Sequence, residues 1–126
     1  MIALIAFTRR GCALGRQLAE KLPGTLYTTA RLSEKEHLPA ADLAEWTAAR
    51  VLDGEALVFI SAAGIAVRAI APFVKDKFTD PAVLSLDEAG RFVVPLLSGH
   101  VGGANDLARR VAGITGGTAV ISTATD

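Results

Sequence analysis

Two hydrophobic periods alternate along the chain. Uninterrupted apolar runs of strand length, at residues 2–7, 56–60 and 92–97, alternate with segments whose apolar positions recur every three or four residues. The first run predicts a buried strand. Residues 11–22 then predict a helix with Leu14, Leu18 and Leu22 on one stripe, ended by Pro23 and Gly24. A short β-rich segment at 25–29 and a polar loop at 31–37 precede a second helix at 39–52, which turns Leu43, Trp46 and Val51 inward. After the Asp53-Gly54 turn, the run 56–60 lacks any polar alternation, as expected of a strand covered on both faces. Residues 62–74 predict a third helix with Val67, Ile70, Phe73 and Val74 as its apolar set, kinked or ended by Pro72.

Beyond a connector at 75–81, strands at 82–86 and 91–97 are joined through Asp87-Glu88-Ala89-Gly90, a hairpin loop in which Gly90 can take a positive φ. Pro95 removes a ladder donor, so its strand must lie at an edge, carry a bulge, or pair on one side only. The last helix, 105–114, turns Leu107, Val111 and Ile114 inward and Arg109 and Arg110 outward, and Gly116-Gly117 leads into a strand at 118–121. This alternation predicts one α/β domain over residues 1–126. Its sheet is open and mainly parallel with helices on both faces, a Rossmann-like three-layer sandwich with one β-hairpin.

Composition narrows the function. Thirteen basic side chains balance thirteen acidic ones, seven against seven up to Ala63 and six against six beyond it. The chain lacks the basic excess of a nucleic-acid binder, while a small anionic ligand needs only a local cluster of donors. The lone Cys12 excludes an intrachain disulfide and a CxxC site, and reads as a packed thiol in the absence of an adjacent base. The opening apolar run is too short to span a membrane and has no basic region before it, so the expected location is the cytoplasm.

Ligands of open α/β sheets bind outside the carboxyl ends of the strands. That rule selects four turns, at residues 8–11, 61–64, 98–105 and 122–126, each small, hydroxylated or glycine-containing. The candidate binding residues are Arg9 and Gly11 in the first, and Ala63 and Gly64 in the second, with Arg68 one turn further on. In the third they are Ser98, Gly99, Gly102, Gly103 and Asn105. Arg68 lies near enough to that carboxyl edge to reach an anion, although its spacing alone favours a solvated helix-face residue. Helix starts at such turns offer unpaired N–H groups to carboxylates or phosphates. No dinucleotide fingerprint, P-loop or G-x-S-x-G elbow is present. Neither His37 nor His100 has a second ligand at metal spacing, so no protein metal site or cofactor is expected. His37, Lys75 and Lys77 read as surface, Asp80 as a turn residue, and Asp87 and Glu88 as the hairpin tip, a place that disfavours a paired-carboxylate acid/base role for them.

Three long blocks, FISAAGIAVRAIAPFVKDKFTDPAV, DEAGRFVVPLLSGHVGGANDLARR and AVISTATD, together with FTRRGCALG, resemble the CbiG family of cobalt-precorrin-5A hydrolases. The resemblance implies an enzyme of anaerobic cobalamin biosynthesis. It would open the lactone of cobalt-precorrin-5A and release acetaldehyde to give cobalt-precorrin-5B. The implied substrate is a cobalt corrinoid rich in carboxylates, which brings its own cobalt. Family members continue past the TATD block, so the chain is expected to be the amino-terminal domain of a longer enzyme, with a carboxy-terminal domain or neighbouring pathway enzymes as partners. Within this resemblance His100 is the candidate general base, and the amides of Gly102, Gly103 and Ala104 are candidate oxyanion donors. The competing reading packs His100 in its turn against the backbone. A further alternative makes the whole domain a non-catalytic corrinoid-binding or docking module.

Overall fold

A computed structural model describes residues 1–32 and 37–123. Its strands are β1 (Ile2–Ala6), β2 (Gly24–Thr28), β3 (Leu38–Pro39), β4 (Ala56–Ile60), β5 (Val83–Leu86), β6 (Phe92–Leu97) and β7 (Thr118–Ala119). The helices are α1 (Arg9–Lys21), α2 (Leu43–Leu52), α3 (Ala63–Ile70) and α4 (Ala104–Thr115). One sheet holds all seven strands in the order β3-β2-β1-β4-β5-β6-β7. Every neighbouring pair is parallel except β5–β6, the predicted hairpin.

Strand alternation divides the core into two layers. Leu4, Ala6, Val58, Ile60, Leu84 and Leu86 face α1 and α4 through Leu18, Leu107, Ala108 and Val111. Ala3, Ile5, Leu57, Phe59 and Val83 face α2 and α3 through Trp46, Ala66, Ala69 and Ile70. The sheet is thus covered on both sides, which is why β1 and β4 carry no polar residue.

Several expected boundaries move for local reasons. Helix α1 begins at Arg9, two residues before the predicted start, because Thr8 caps it, its hydroxyl accepting the Gly11 N–H at 3.0 Å. The predicted start of α2 at residue 39 gives way to β3, and Asp42 caps the helix by accepting the Glu45 N–H at 3.1 Å. The expected apolar face of α3 is partly wrong. Ala66, Ala69 and Ile70 meet the sheet, whereas Val67 and Val74 are 49% and 46% exposed. Small alanines let this short helix lie close to the sheet, and Pro72 turns the chain into a 3₁₀ turn at Ala71–Phe73 before Val74 can join the stripe. Pro95 is accommodated by a bulge, where pairing shifts between Val83–Leu97 and Leu84–Pro95, and lies beyond the two residues of β6 that pair with β7. Of the expected 31–37 loop, residues 33–36 lie outside the described residues. No helix among the described residues is long and apolar enough to cross a membrane.

Candidate site at the carboxyl edge of the sheet

The antiparallel hairpin has a geometric consequence for the four turns. Strands β1, β4 and β5 end at one edge, while β6 and β7 run the other way and end at the opposite edge. The turns at 8–11 and 61–64 therefore share an edge, joined there by the hairpin tip at residues 87–90. The turn at 98–105 lies at the other, beside the start of β5, where the Ser98 hydroxyl donates to the Asp80 carbonyl at 2.9 Å. Asn105 joins it to the end of the chain, its side-chain amide donating to Thr123 Oγ1 at 3.0 Å. The expectation of one convergent edge is corrected: Arg9, Gly11, Ala63, Gly64 and Arg68 occupy one edge, and Ser98, Gly99, His100, Gly102, Gly103 and Asn105 the other. Residues 124–126 of the fourth turn lie outside the described residues.

At the far edge, the glycine-rich turn is closed on itself. The N–H groups of Gly103, Ala104 and Asn105 donate to the carbonyls of His100, Ser98 and Gly99 at 3.2, 3.1 and 3.1 Å. Two of the three expected oxyanion donors, Gly103 and Ala104, are thus engaged by the turn's own backbone. The glycines have packing reasons. A Cβ on Gly102 would stand 2.4 Å from Ser98 Cβ, one on Gly99 would stand 2.9 Å from Asn105 Oδ1, and Gly103 has φ +82°. Ser98 itself takes a left-handed φ of 60°, the kind of strain a tight turn holds by over-determining it. Asn105 is buried among these contacts and His100 is exposed. Nearby, Asp80 accepts the Lys75 N–H at 2.9 Å and the Asp76 N–H at 3.1 Å, so it holds the connector as a turn residue should.

At the carboxyl edge a cleft of about 370 Å³ opens between Arg10, Ser61, Ala62, Asp87, Glu88 and Arg91. The starts of α1 and α3 flank it. Helix α3 has no side-chain cap, Ala62, Ala63, Gly64 and Ile65 are all exposed, and the Ile65 N–H donates to the Ala62 carbonyl at 3.1 Å, which leaves the Ala63 and Gly64 amides as the open donors of this end. Arg68 folds back over this end: a Cβ on Gly64 would lie 3.2 Å from its Nη1. The guanidinium and the helix start thus present positive charge in the same place. Gly11 fits where α1 presses on the sheet, with a Cβ there meeting Ala6 at 3.3 Å and Ile60 at 3.4 Å.

The hairpin tip, which the sequence reads as a turn unsuited to acid/base work, lines the cleft. Asp87 accepts the Phe92 N–H at 2.8 Å and the Ala89 N–H at 3.2 Å. Burial raises its pKa, but hydrogen bonds from the Phe92, Arg91, Asp87 and Ala89 backbone lower it more, so the carboxyl sits below its ordinary 3.8. Glu88 accepts a hydrogen bond from the Thr8 hydroxyl, which ties the tip to the α1 cap. Thr115 Oγ1 donates to the Gly90 carbonyl at 2.7 Å and holds the tip from the other side.

A smaller cavity, about 190 Å³, lies on the β2 side between Arg9, Cys12, Arg16, Leu32 and His37. Arg9 thus faces a different hollow from Arg10. Cys12 is buried, its thiol 3.3 Å from Thr28 Oγ1, in keeping with a packed thiol. His37, expected at the surface, is only 3% exposed and bonds Arg16 Nη1 through Nε2 at 3.0 Å. The short β3 draws it in beside β2. Among the described residues no group of three or more His, Cys, Asp or Glu side chains gathers as a metal would need.

Comparison with known proteins places the chain among relatives. Residues 45–126 match the family model "Cobalamin synthesis G N-terminal". The chain is 49% identical over 126 residues to a cobalt-precorrin-5A hydrolase of Salmonella typhimurium, covering 99% of this chain and 36% of that protein. Over 70 residues it is 51% identical to a cobalt-precorrin-5A hydrolase of Priestia megaterium, covering 56% of this chain and 19% of that protein. A solved structure of a cobalamin biosynthesis protein G homolog from Sulfolobus solfataricus superposes with a TM-score of 0.73 at 28% identity, over 96% of this chain and 36% of that one. The chain therefore spans about a third of the length of the relatives it matches from end to end. With most of its residues under the family model and nearly all of them aligned to a hydrolase of that kind, the chain belongs to the cobalamin synthesis G N-terminal family.

Proposed function

We propose that this chain forms the corrinoid-binding part of a cobalt-precorrin-5A hydrolase, holding the carboxylated rim of its substrate at the carboxyl-edge cleft. The supporting observation is the convergence of the exposed α3 start and Arg68 with the Arg10-lined cleft beside α1. Unpaired amides at helix starts and guanidinium groups both favour carboxylates. Lactone opening at this edge consumes water and needs a proton acceptor and an oxyanion donor, which a helix start supplies. Cobalt enters with the substrate, so the chemistry asks the protein for carboxylate recognition and no ligand of its own. A biosynthetic enzyme of this kind acts in the cytoplasm.

The test is turnover and binding in the full-length protein. Arg10→Gln with Arg68→Gln should weaken corrinoid binding about 10- to 100-fold, each lost charged hydrogen bond being worth about 1.5–3 kcal/mol before solvent screening. Titration with the corrinoid reads this, and unchanged affinity would overturn the reading. A second reading, a binding module without chemistry, is favoured by the openness of the cleft and by the share of the relatives' length that this chain spans. It predicts that the isolated chain binds corrinoid yet releases no acetaldehyde.

A further inference from the structure

We infer that Glu88 is the general base of the carboxyl-edge cleft. The assignment rests on the reading of that cleft as the place of lactone opening, and supplies the group that activates water there. Three side chains are the natural candidates. His100 lies at the opposite edge, about one strand length away, or on the order of 15 Å. Asp87 is committed to the hairpin: Oδ1 accepts from Phe92, Oδ2 from Ala89, and these bonds hold the carboxylate in its ionised, weakly basic form.

Glu88 differs on each count. It is half-buried and lines the cleft beside Arg10, Ser61 and Ala62. Because Thr8 Oγ1 accepts the Gly11 N–H, its own proton is directed at Glu88 Oε1. One carboxylate oxygen is thereby held in place. Among the described residues no hydrogen bond or ion pair engages Oε2. A carboxylate with one oxygen anchored and the other facing an open, cation-flanked cleft has the geometry of a proton acceptor.

The step balances. Glu88 removes a proton from water, and the water oxygen forms a bond to the lactone carbonyl carbon. The tetrahedral oxyanion, facing the α3 start, collapses with cleavage of the ring C–O bond. The proton on Glu88 passes to the departing alkoxide, so one water is consumed and the carboxylate is restored.

Glu88→Gln in the full-length protein is the informative variant, because glutamine keeps an oxygen for Thr8 but cannot take the proton. Expected are a fall in kcat of about 10²- to 10⁴-fold, KM within about threefold, an unchanged melting temperature, and loss of the acidic limb of the kcat/KM profile. Thr8→Val controls for the clamp. A purely structural Glu88 would make both variants melt early and lose activity together, and that pattern overturns the assignment. If Glu88→Gln folds poorly, Glu88→Ala assayed with added acetate replaces it: restored turnover supports the assignment and no restoration overturns it. A wild-type protein that turns over beside a Glu88→Gln variant with normal kcat overturns this assignment alone. A wild-type protein that opens no lactone removes the underlying reading, and this one with it.

Discussion

Asp87 and Glu88 are neighbours of the same chemical type, and their surroundings separate them. The Asp87 carboxylate folds back on its own loop and takes up backbone N–H groups, while Glu88 reaches across to α1. The lowered pKa of Asp87 ties stability to pH in one direction. Its unfolded form binds protons more readily than its folded form, so its contribution is complete above the ordinary value of 3.8 and vanishes as pH falls through the lower folded value. Asp87→Asn should therefore cost about 0.5–1 kcal/mol at neutral pH, a modest figure because the side chain is partly exposed. The difference should disappear below the folded pKa, and urea unfolding of both proteins at neutral and acid pH measures it. Nothing in the order Asp-Glu distinguishes the two roles. Which carboxylate meets its own backbone depends on how the four-residue loop closes, a property of φ and ψ.

Among the elements, the hairpin and the α4–β7 junction act as one unit. Gly117 lets β7 pass the hairpin tip: a Cβ there would stand 2.0 Å from the Gly90 oxygen and 2.7 Å from the Arg91 oxygen, both backbone atoms that cannot step aside cheaply. Gly117→Ala should destabilise the protein by about 2–4 kcal/mol, read as a lowered urea midpoint with an unchanged m-value. It should also disturb the cleft, because Thr115 of the same junction bonds Gly90. The elements themselves were legible from periodicity, since two-sided burial forces an apolar run and one-sided burial forces a stripe. Boundaries were less so. The Thr8 and Asp42 caps are a single hydrogen bond each, and β3 is only two residues long. The inward face of α3 was misread because alanines, which hardly register as hydrophobic, make its contact with the sheet.

At the scale of the molecule, the antiparallel turn between β5 and β6 decides which residues can share a substrate. It sends the 98–105 turn to the far edge, so under the proposed function His100→Ala in the full-length protein should leave acetaldehyde release within about twofold of wild type. A loss of 10²-fold or more, with folding intact, would return His100 to the mechanism. The layered α/β architecture and the hairpin followed from the order of residues, because hydrophobic period and turn chemistry act over a few neighbours, while the family came from the resemblance of long sequence blocks. Even the reversal of β6 was implicit in the predicted hairpin. Sequence alone also placed Gly64 and Arg68 together, four residues being one helical turn. Only the tertiary structure decided that Arg9 and Arg10 face different hollows, that His37 is buried, and that Glu88 meets Thr8 from 80 residues away. Those relations depend on strand order and on the direction each strand runs, which no local pattern of residues contains.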